Sequence, residues 1–288
     1  MPTDPVQDKL RRQRLAQRHR DTAAEVAEHD DLTSAIAHYQ RAAELDDANP
    51  DAYVGLGDAY LCSDKPADAF RAYQQALSRH PRHADAHFCL AEILLKRGHL
   101  RRALNALRRA VACDPHRHYY HYRLSELYVQ SGLFDRAEDC LAEAIALAPD
   151  DAFYHYKLGE LRCRRGRLDE AVSAYQEAVR HSPVDDFYHI RLAAAQLRRG
   201  KRQDALRMLE RSVLIDPDNR AYRYLLGELL LAMGRLEPAL KHLRRAGYLD
   251  DYDRDDVRRM KVRSGELAPD EALVVISYDD RPLEVTRR

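Results

Sequence analysis

The sequence predicts an all-α repeat protein, on the evidence of a recurring segment, a fixed spacing between its copies and a helical periodicity inside each copy. The stretch FYHYKLGELRCRRG at 153–166 has related copies at 119–132, 187–200 and 221–234, spaced by multiples of 34 residues. Self-similarity at one such period is the signature of a solenoid, whose units bury their apolar sides only by stacking on their neighbours. We therefore expect one stack of repeats and not the two ordinary domains that 288 residues would otherwise suggest.

Seven copies align when the repeat begins at residue 16 and again every 34 residues. Position 7 of the repeat is leucine in the last six copies, position 8 is small in all seven, and position 20 is always alanine. This register predicts repeats at 16–49, 50–83, 84–117, 118–151, 152–185, 186–219 and 220–253.

Each repeat is predicted to form two amphipathic helices, because positions 4, 7, 8 and 11 share one helical face and positions 20, 24, 27 and 28 share another. A glycine at position 15 of the last five copies should end the first helix in the left-handed conformation. A proline at position 32 of copies two to six should end the second, since proline has no amide proton to continue the helix. Small residues at positions 8, 20 and 27 would let the two helices approach closely.

These columns closely resemble the tetratricopeptide repeat family, over residues 16–253. The resemblance implies an α-solenoid of about seven helix-turn-helix repeats in a right-handed superhelix. The first copy departs from the pattern, with Thr22, Asp30 and Asp47 in place of the leucine, glycine and proline. Position 4, often tryptophan in the family, is mostly histidine here. The first repeat is therefore expected to be a frayed or capping repeat.

Residues 1–15 are predicted to be a charged N-terminal helical extension, and a helix that starts at Pro5 would run through residues 5–29. This start carries charge where a signal peptide needs an apolar stretch, and no apolar run approaches the roughly 18 residues of a membrane span. The five cysteines include no CxxC pair, which fits a reducing compartment. We therefore expect a cytoplasmic protein with no membrane partner.

Residues 254–288 fall outside the repeat pattern. They are predicted to form a short capping helix that stops at Gly265, followed by the β-prone run LVVISY at 273–278. Two interpretations of this tail stay open: a strand or hairpin that caps the last repeat, or a mobile segment that lies in a groove of this or a sister molecule.

The charges balance over the whole chain but separate along it. Lys plus Arg and Asp plus Glu number 47 each, so no overall field favours nucleic acid or anionic membranes. Turns within repeats are basic, as in LRRGKR at 197–202, and turns between repeats are acidic, as in APDD at 148–151. Charge preferences at helix ends explain part of this pattern. The remainder would steer an anionic partner such as RNA, or align two copies head to tail.

Neither a metal site nor an active site is predicted. Position 4 holds His87, His121, His155 and His189. A repeated position projects its side chains in parallel, whereas zinc needs ligands that converge on one centre, so these histidines are predicted to be structural. Phosphate-loop, HExxH and GxSxG motifs are absent from the sequence, which favours a non-enzyme with no cofactor.

The first helix of each repeat has a second face, made by positions 2, 5 and 9, that its own repeat leaves uncovered. The resemblance implies that the first helices line a concave groove, and Tyr and Arg are enriched at interface hot spots. For position 5, groove exposure and packing against the next repeat both stay open; for the position-9 acids, exposure is favoured. The candidate partner-binding residues are Phe88, Glu92, Tyr119, Tyr122, Arg123, Glu126, Phe153, Tyr156, Lys157, Glu160, Phe187, Ile190, Arg191, Tyr224 and Glu228.

We therefore expect a non-enzymatic scaffold or adaptor that binds an extended or helical segment of another protein in the groove. The alternatives are an RNA or polyanion binder that uses the basic turns, and a self-assembling structural protein. Nucleic acid is the less favoured partner because the aromatic residues do not interleave with the basic turns. The position-9 carboxylates also differ from the asparagine of chaperone-binding relatives, so a ligand with a free C-terminal carboxylate is not expected.

Overall fold

The protein is an all-α repeat solenoid, as the sequence predicts. The structure, a computed structural model, describes residues 5–247 and Val257. The helices are α1 (Pro5–Glu28), α2 (Leu32–Leu45), α3 (Pro50–Cys62), α4 (Pro66–Arg79), α5 (Ala84–Lys96), α6 (Leu100–Cys113), α7 (His118–Gln130), α8 (Phe134–Leu147), α9 (Ala152–Arg164), α10 (Leu168–His181), α11 (Asp186–Arg198), α12 (Arg202–Ile215), α13 (Arg220–Ala232) and α14 (Leu236–Ala246). The regular elements of the described residues are all helices.

The chain divides into two compact units, and the first ends at Pro149. Helices α1 to α8 belong to it, and each odd-numbered helix packs on the even-numbered helix that follows. Between these pairs, α2 packs on α3, α4 on α5 and α6 on α7. Helix α1 begins at Pro5, as expected for proline in a first helical turn, and runs without a break to Glu28.

The second unit begins at Asp150 and contains α9 to α14. Its helices pack as α9 on α10, α11 on α12 and α13 on α14, with α10 on α11 and α12 on α13 joining the pairs. Beyond α14, Val257 is buried in a cluster with Ala221, Tyr224 and Ala246. This residue therefore covers part of the apolar side of the last helix pair.

The turn that follows each first helix has the predicted left-handed residue. Gly166, for example, has φ +73°, and the equivalent glycines of the last five copies lie between +72° and +76°. The first two copies have Asp30 and Asp64 at this place, with φ of 61° and 55°. Aspartate tolerates this conformation better than most residues, so the departure of the first repeat from glycine leaves the turn intact.

The small residue at position 8 makes room for a large side chain at position 24 of the same repeat. A β-carbon added to Gly159 would lie 2.7 Å from ring atoms of Tyr175, and one added to Gly57 would lie 2.6 Å from the ring of Tyr73. In two copies with alanine at position 8, Ala91 and Ala193, position 24 is the smaller leucine, Leu107 and Leu209. The prediction of close helix approach is thus confirmed, and the contact is between a backbone and a ring.

Residues 248–256 and 258–288 lie outside the described part of the chain. The predicted stop at Gly265 and the LVVISY segment fall there, and both interpretations of the tail stay predictions. None of the described helices combines the length and the apolar character that a membrane crossing requires.

Candidate functional site

The candidate site lies on the first helix of each pair. Aspartates in the acidic turns before α9 and α11 cap the N-terminal ends of these helices. The Asp151 side chain accepts a hydrogen bond from the backbone N–H of Phe153 at 3.0 Å, and Asp185 accepts one from Phe187 at the same distance. Each cap satisfies an amide that the helix leaves unpaired. The acidic turns therefore hold Phe153 and Phe187, at position 2 of their repeats, in place.

Position 2 carries aromatic rings that are exposed to solvent. Tyr119, Phe153 and Phe187 are 44%, 36% and 38% exposed. Phe153 and Phe187 each contact the ring of Tyr156, with centroids 6.2 and 5.0 Å apart. These rings thus lie beside a packed aromatic cluster but keep one side open to water.

Position 5 is mostly buried. Tyr122, Tyr156, Ile190 and Tyr224 are between 5% and 8% exposed, and Phe88 is half-buried. This decides between the two readings of the sequence in favour of packing at four of the five positions. A helical wheel gives only the direction of these side chains from their own helix axis, and not which neighbouring helices reach them. Tyr156 of α9, for example, contacts Phe187 and Tyr188 of α11 as well as Tyr175 of α10. The part of these side chains in binding stays a prediction.

The hydroxyl groups of two buried tyrosines reach the acids at position 9. Tyr122 donates to Oε1 of Glu126 at 2.7 Å, and Tyr224 donates to Oε1 of Glu228 at 2.8 Å. Burial, followed by the hydrogen bond to Glu126, raises the pKa of Tyr122 above its ordinary value. The position-9 acids are partly exposed, and Tyr122 and Tyr224 fix the orientation of two of them.

In the first unit, α5 and α7 are joined by a network of charges. Arg123 donates from Nη2 to both carboxylate oxygens of Glu92, at 2.6 and 2.8 Å, and from Nη1 to Glu126. Burial opposes the charge of Arg123, but the hydrogen bonds to Glu92 and the two carboxylate charges outweigh it and raise the pKa of the guanidinium. One cation therefore bridges both acids.

The second unit has a surface of different character on α9 and α11. We call it the α9–α11 face, made by Phe153, Tyr156, Lys157, Glu160, Phe187, Ile190 and Arg191. Lys157 lies 5.3 Å from the ring centroid of Phe153, and the Arg191 guanidinium lies 4.8 Å from that of Phe187. A cation held against an aromatic ring in this way is a cation–π contact. The face thus presents exposed rings beside two cations.

Arg191, named from the sequence as a candidate partner-binding residue, is almost entirely buried. It is 8% exposed, and its guanidinium carbon lies 4.8 Å from the ring centroid of Phe187 and 5.8 Å from that of Tyr156. Lys157 and Glu160 keep about a quarter of their side chains exposed and lie 3.6 Å apart.

Three of the four histidines named at position 4 bind a backbone carbonyl of their own turn. Nε2 of His87 donates to the carbonyl of Pro81 at 2.9 Å, and His121 and His189 make the same bond to Pro115 and Pro183. The carbonyl accepts only, which fixes the proton on Nε2, and burial lowers the pKa of His87 and favours its neutral form. Across the described residues, His, Cys, Asp and Glu side chains do not gather in the groups of three that a metal ion needs.

One aromatic column that supports the site was not predicted from the sequence. Position 3 is tyrosine in the last four of the seven copies, as at Tyr120 and Tyr188. Tyr120 stacks on Phe88 with centroids 5.1 Å apart, and its hydroxyl donates to Asp85 of the preceding repeat. Tyr188 contacts both Tyr156 and Phe187. The recurrence of tyrosine in this column was the signal that could have identified it.

Comparison with known families gives one match over most of the chain. The family model described as the cilia and flagella-associated protein 70 C-terminal domain, a tetratricopeptide repeat domain, matches residues 7–261. No curated protein sequence matches the chain.

Solved structures of several repeat proteins are similar to this chain. The C-terminal part of a TPR repeat-containing protein from Cytophaga hutchinsonii has a TM-score of 0.68 at 15% identity, over 82% of this chain and 98% of that one. Pseudomonas aeruginosa PilF gives 0.60 at 15% identity, over 75% and 99%. YrrB, described as a TPR protein with an unusual peptide-binding site, gives 0.56 at 19% identity, over 68% and 97%. At these identities the likeness shows the fold.

Proposed function

Because the chain belongs to the family of the cilia and flagella-associated protein 70 C-terminal domain, we propose that it is a non-enzymatic protein-interaction scaffold. In this proposal, the first helices of the repeats bind an extended or helical segment of another protein. The residues named from the sequence are its candidate contacts, and those of the α9–α11 face are its centre.

The observation that carries this proposal is the exposure of Phe153 and Phe187 on the α9–α11 face. Both rings are held in place by helix caps and by contact with Tyr156, so a partner would lose little conformational freedom in binding them. Rigid aromatic side chains that are part-exposed beside cations are typical of interface hot spots. The similarity to YrrB, a TPR protein with an unusual peptide-binding site, supports the same kind of ligand.

The buried tyrosines have a supporting part in this proposal. Tyr156 packs beneath Phe153 and Phe187, and Tyr122 and Tyr224 orient Glu126 and Glu228. A partner would therefore contact the position-2 rings and the position-9 acids. The position-5 rings would hold both sets of side chains in their orientations.

The test is an affinity capture that compares the native chain with the double variant Phe153→Ala, Phe187→Ala. A matched control is Phe134→Ala, because Phe134 is 37% exposed but begins α8, a second helix. We expect the double variant to lose partners that the native chain and Phe134→Ala both retain. Truncating each hot-spot ring should cost more than about 1 kcal/mol of binding free energy. An identical partner set for all three proteins would refute the proposal.

A further inference from the structure

Arg191 on α11 is a buried cation with no acidic partner among the residues that the structure describes. Its Nε atom is enclosed and has no hydrogen-bond acceptor. Its nearest ring contacts are Phe187 and Tyr156, at 4.8 and 5.8 Å from the guanidinium carbon. Ring faces attract a cation, but this attraction is weaker than the several kcal/mol that an ion loses on leaving water. The position therefore favours an additional anionic partner.

The same repeat position in the first unit shows which interactions Arg191 lacks. Arg123 occupies position 6 of its repeat, as Arg191 does, and is bound by the carboxylates of Glu92 and Glu126. The residue equivalent to Glu126 in the repeat of Arg191 is Ala194. The residue equivalent to Glu92 is Glu160, which pairs with Lys157 and Arg164 at 3.6 and 3.7 Å. One carboxylate has thus been lost from the sequence, and the other is held by different cations.

This change leaves an excess of positive charge on the α9–α11 face and on the residues at position 13 beside it. Positions 6, 9 and 13 of α9 and α11 carry four cations and one anion, namely Lys157, Arg164, Arg191, Arg198 and Glu160. The same positions of α5 and α7 carry two cations and two anions, namely Lys96, Arg123, Glu92 and Glu126. The charges on α5 and α7 are balanced and bridge each other. Those on α9 and α11 have an excess of cations, which can accept an anion from a partner.

We propose that the α9–α11 face recognises an acidic side chain, Asp or Glu, within a peptide segment of the partner protein. The carboxylate would meet the guanidinium of Arg191 and the ammonium of Lys157, and an apolar residue beside it would cover Phe153 and Phe187. This inference rests on the proposed function and names the chemistry of its ligand.

A carboxylate on a peptide fits this position better than a phosphate backbone does. The planar guanidinium offers parallel N–H donors that match the two oxygens of a carboxylate. Nucleic-acid backbones bind rows of exposed cations, whereas Arg191 is recessed between two rings. The adjacent exposed phenylalanines add apolar area that a peptide side chain can cover. Charge and shape together indicate an acidic residue next to an apolar one.

The first experiment is a selection from a random twelve-residue phage-displayed peptide library against the full chain. The native protein is compared with Arg191→Gln and with Arg207→Gln, a control that removes one cation from the exposed side of α12 in the same unit. We expect Asp or Glu beside an apolar residue to be enriched by the native chain and the control, and not by Arg191→Gln. Acidic enrichment that persists in Arg191→Gln, or selected peptides without acidic residues, would overturn the inference but leave the proposed function standing. Selection of no peptide by any of the proteins would overturn both.

The second experiment measures the affinity of a selected peptide and of its copy with each Glu or Asp changed to the amide. We expect the amide peptide to bind the native chain about tenfold more weakly, as for the loss of a charge-assisted hydrogen bond. Arg191→Gln should bind both peptides alike. Because removal of a buried cation leaves no carboxylate unpaired, its melting temperature should equal or exceed that of the native chain. If it melts lower, Arg191→Lys serves instead, and equal affinity of this variant and the native chain for the acidic peptide would contradict the inference.

Sedimentation at several concentrations tests the other occupant of this face, a second copy of the chain. We expect Arg191→Gln and the native chain to have the same mass at every concentration. Self-association that Arg191→Gln abolishes would place a sister molecule on the face and overturn the assignment of a peptide ligand.

Discussion

Arg123 on α7 binds both carboxylate oxygens of Glu92 on α5, with Nη2 at 2.6 Å from Oε2 and 2.8 Å from Oε1. The pair joins the first helices of two consecutive repeats through a bidentate, charge-assisted contact. About a fifth of the Arg123 side chain and a quarter of the Glu92 side chain remain exposed. In the first unit Arg123 is therefore part of the packing between repeats, whereas Arg191, at the same repeat position in the second unit, has no carboxylate partner among the described residues.

Arg123→Ala should lower the free energy of unfolding by about 1–3 kcal/mol, because it leaves two part-buried carboxylates without their cation. The measurement is urea unfolding followed by circular dichroism. Arg41→Ala is the control, since its ion pair with Glu44 is more than half exposed and should contribute little. Equal stability losses in the two variants would show that the Arg123 network is not structural.

Gly159→Ala should lower the free energy of unfolding by about 1–3 kcal/mol, because the added methyl would meet the Tyr175 ring at 2.7 Å. The double variant Gly159→Ala, Tyr175→Leu should recover part of that loss, since Ala193 and Leu209 show that this pair fits the same place. The four proteins of this double-mutant cycle are compared by urea unfolding. Additive losses in the double variant would mean that the two residues do not share one packing contact.

Cys89 should react with iodoacetamide at least about tenfold more slowly than Cys62 at pH 8, because the thiolate is the reactive form. Cys62 is exposed, whereas burial and then the negative charge of Asp58 raise the pKa of the Cys89 thiol to about 12. The readout is mass spectrometry of the peptides, and both thiols should react alike in urea. Because the pKa of Cys89 is higher in the folded chain, the free energy of unfolding should fall as the pH rises from about 8.5, the ordinary thiol pKa, towards about 12. Equal reaction rates of Cys62 and Cys89 in the folded protein would contradict the burial of Cys89.

Salt distinguishes the proposed surface from the basic turns. Binding of a partner through the α9–α11 face should weaken only a few-fold between about 50 and 200 mM salt, because the rings and the recessed Arg191 are screened little. Binding of a polyanion through the exposed basic turns would fall by orders of magnitude over this range. Affinity is measured by fluorescence anisotropy with a captured partner segment and with a poly-uridine probe. A steep salt dependence for the protein partner would shift the site to the basic turns.

The helices and their turns were predictable because each is encoded several times. A single glycine such as Gly166 is weak evidence for a turn, but five glycines at one repeat position determine it. The same averaging predicts the close helix approach at Gly159 and the structural role of His87. The tail occurs only once in the sequence, so no other copy supports its predicted structure. The partner residues rest on the family resemblance, and both stay predictions.

The burial of the position-5 residues was not predictable from periodicity alone. A helical wheel gives the direction of Tyr156 from its own axis, but the distance to the next helix decides whether Phe187 and Tyr188 reach it. The isolation of Arg191 had a signal in the sequence, since Ala194 interrupts a column of acids. That signal could be interpreted only once the structure showed that Arg123, at the same repeat position, binds Glu92 and Glu126.

Site-specific photo-cross-linking from the α9–α11 face tests the central claim most directly. p-Benzoylphenylalanine is placed at position 187, and at position 134 as the control with equal exposure on a second helix. The account predicts that position 187 cross-links to a defined segment of another protein, that this segment contains an acidic residue, and that position 134 does not. Cross-links of equal yield to the same proteins from both positions, or none from position 187 while partners are still captured, would contradict it.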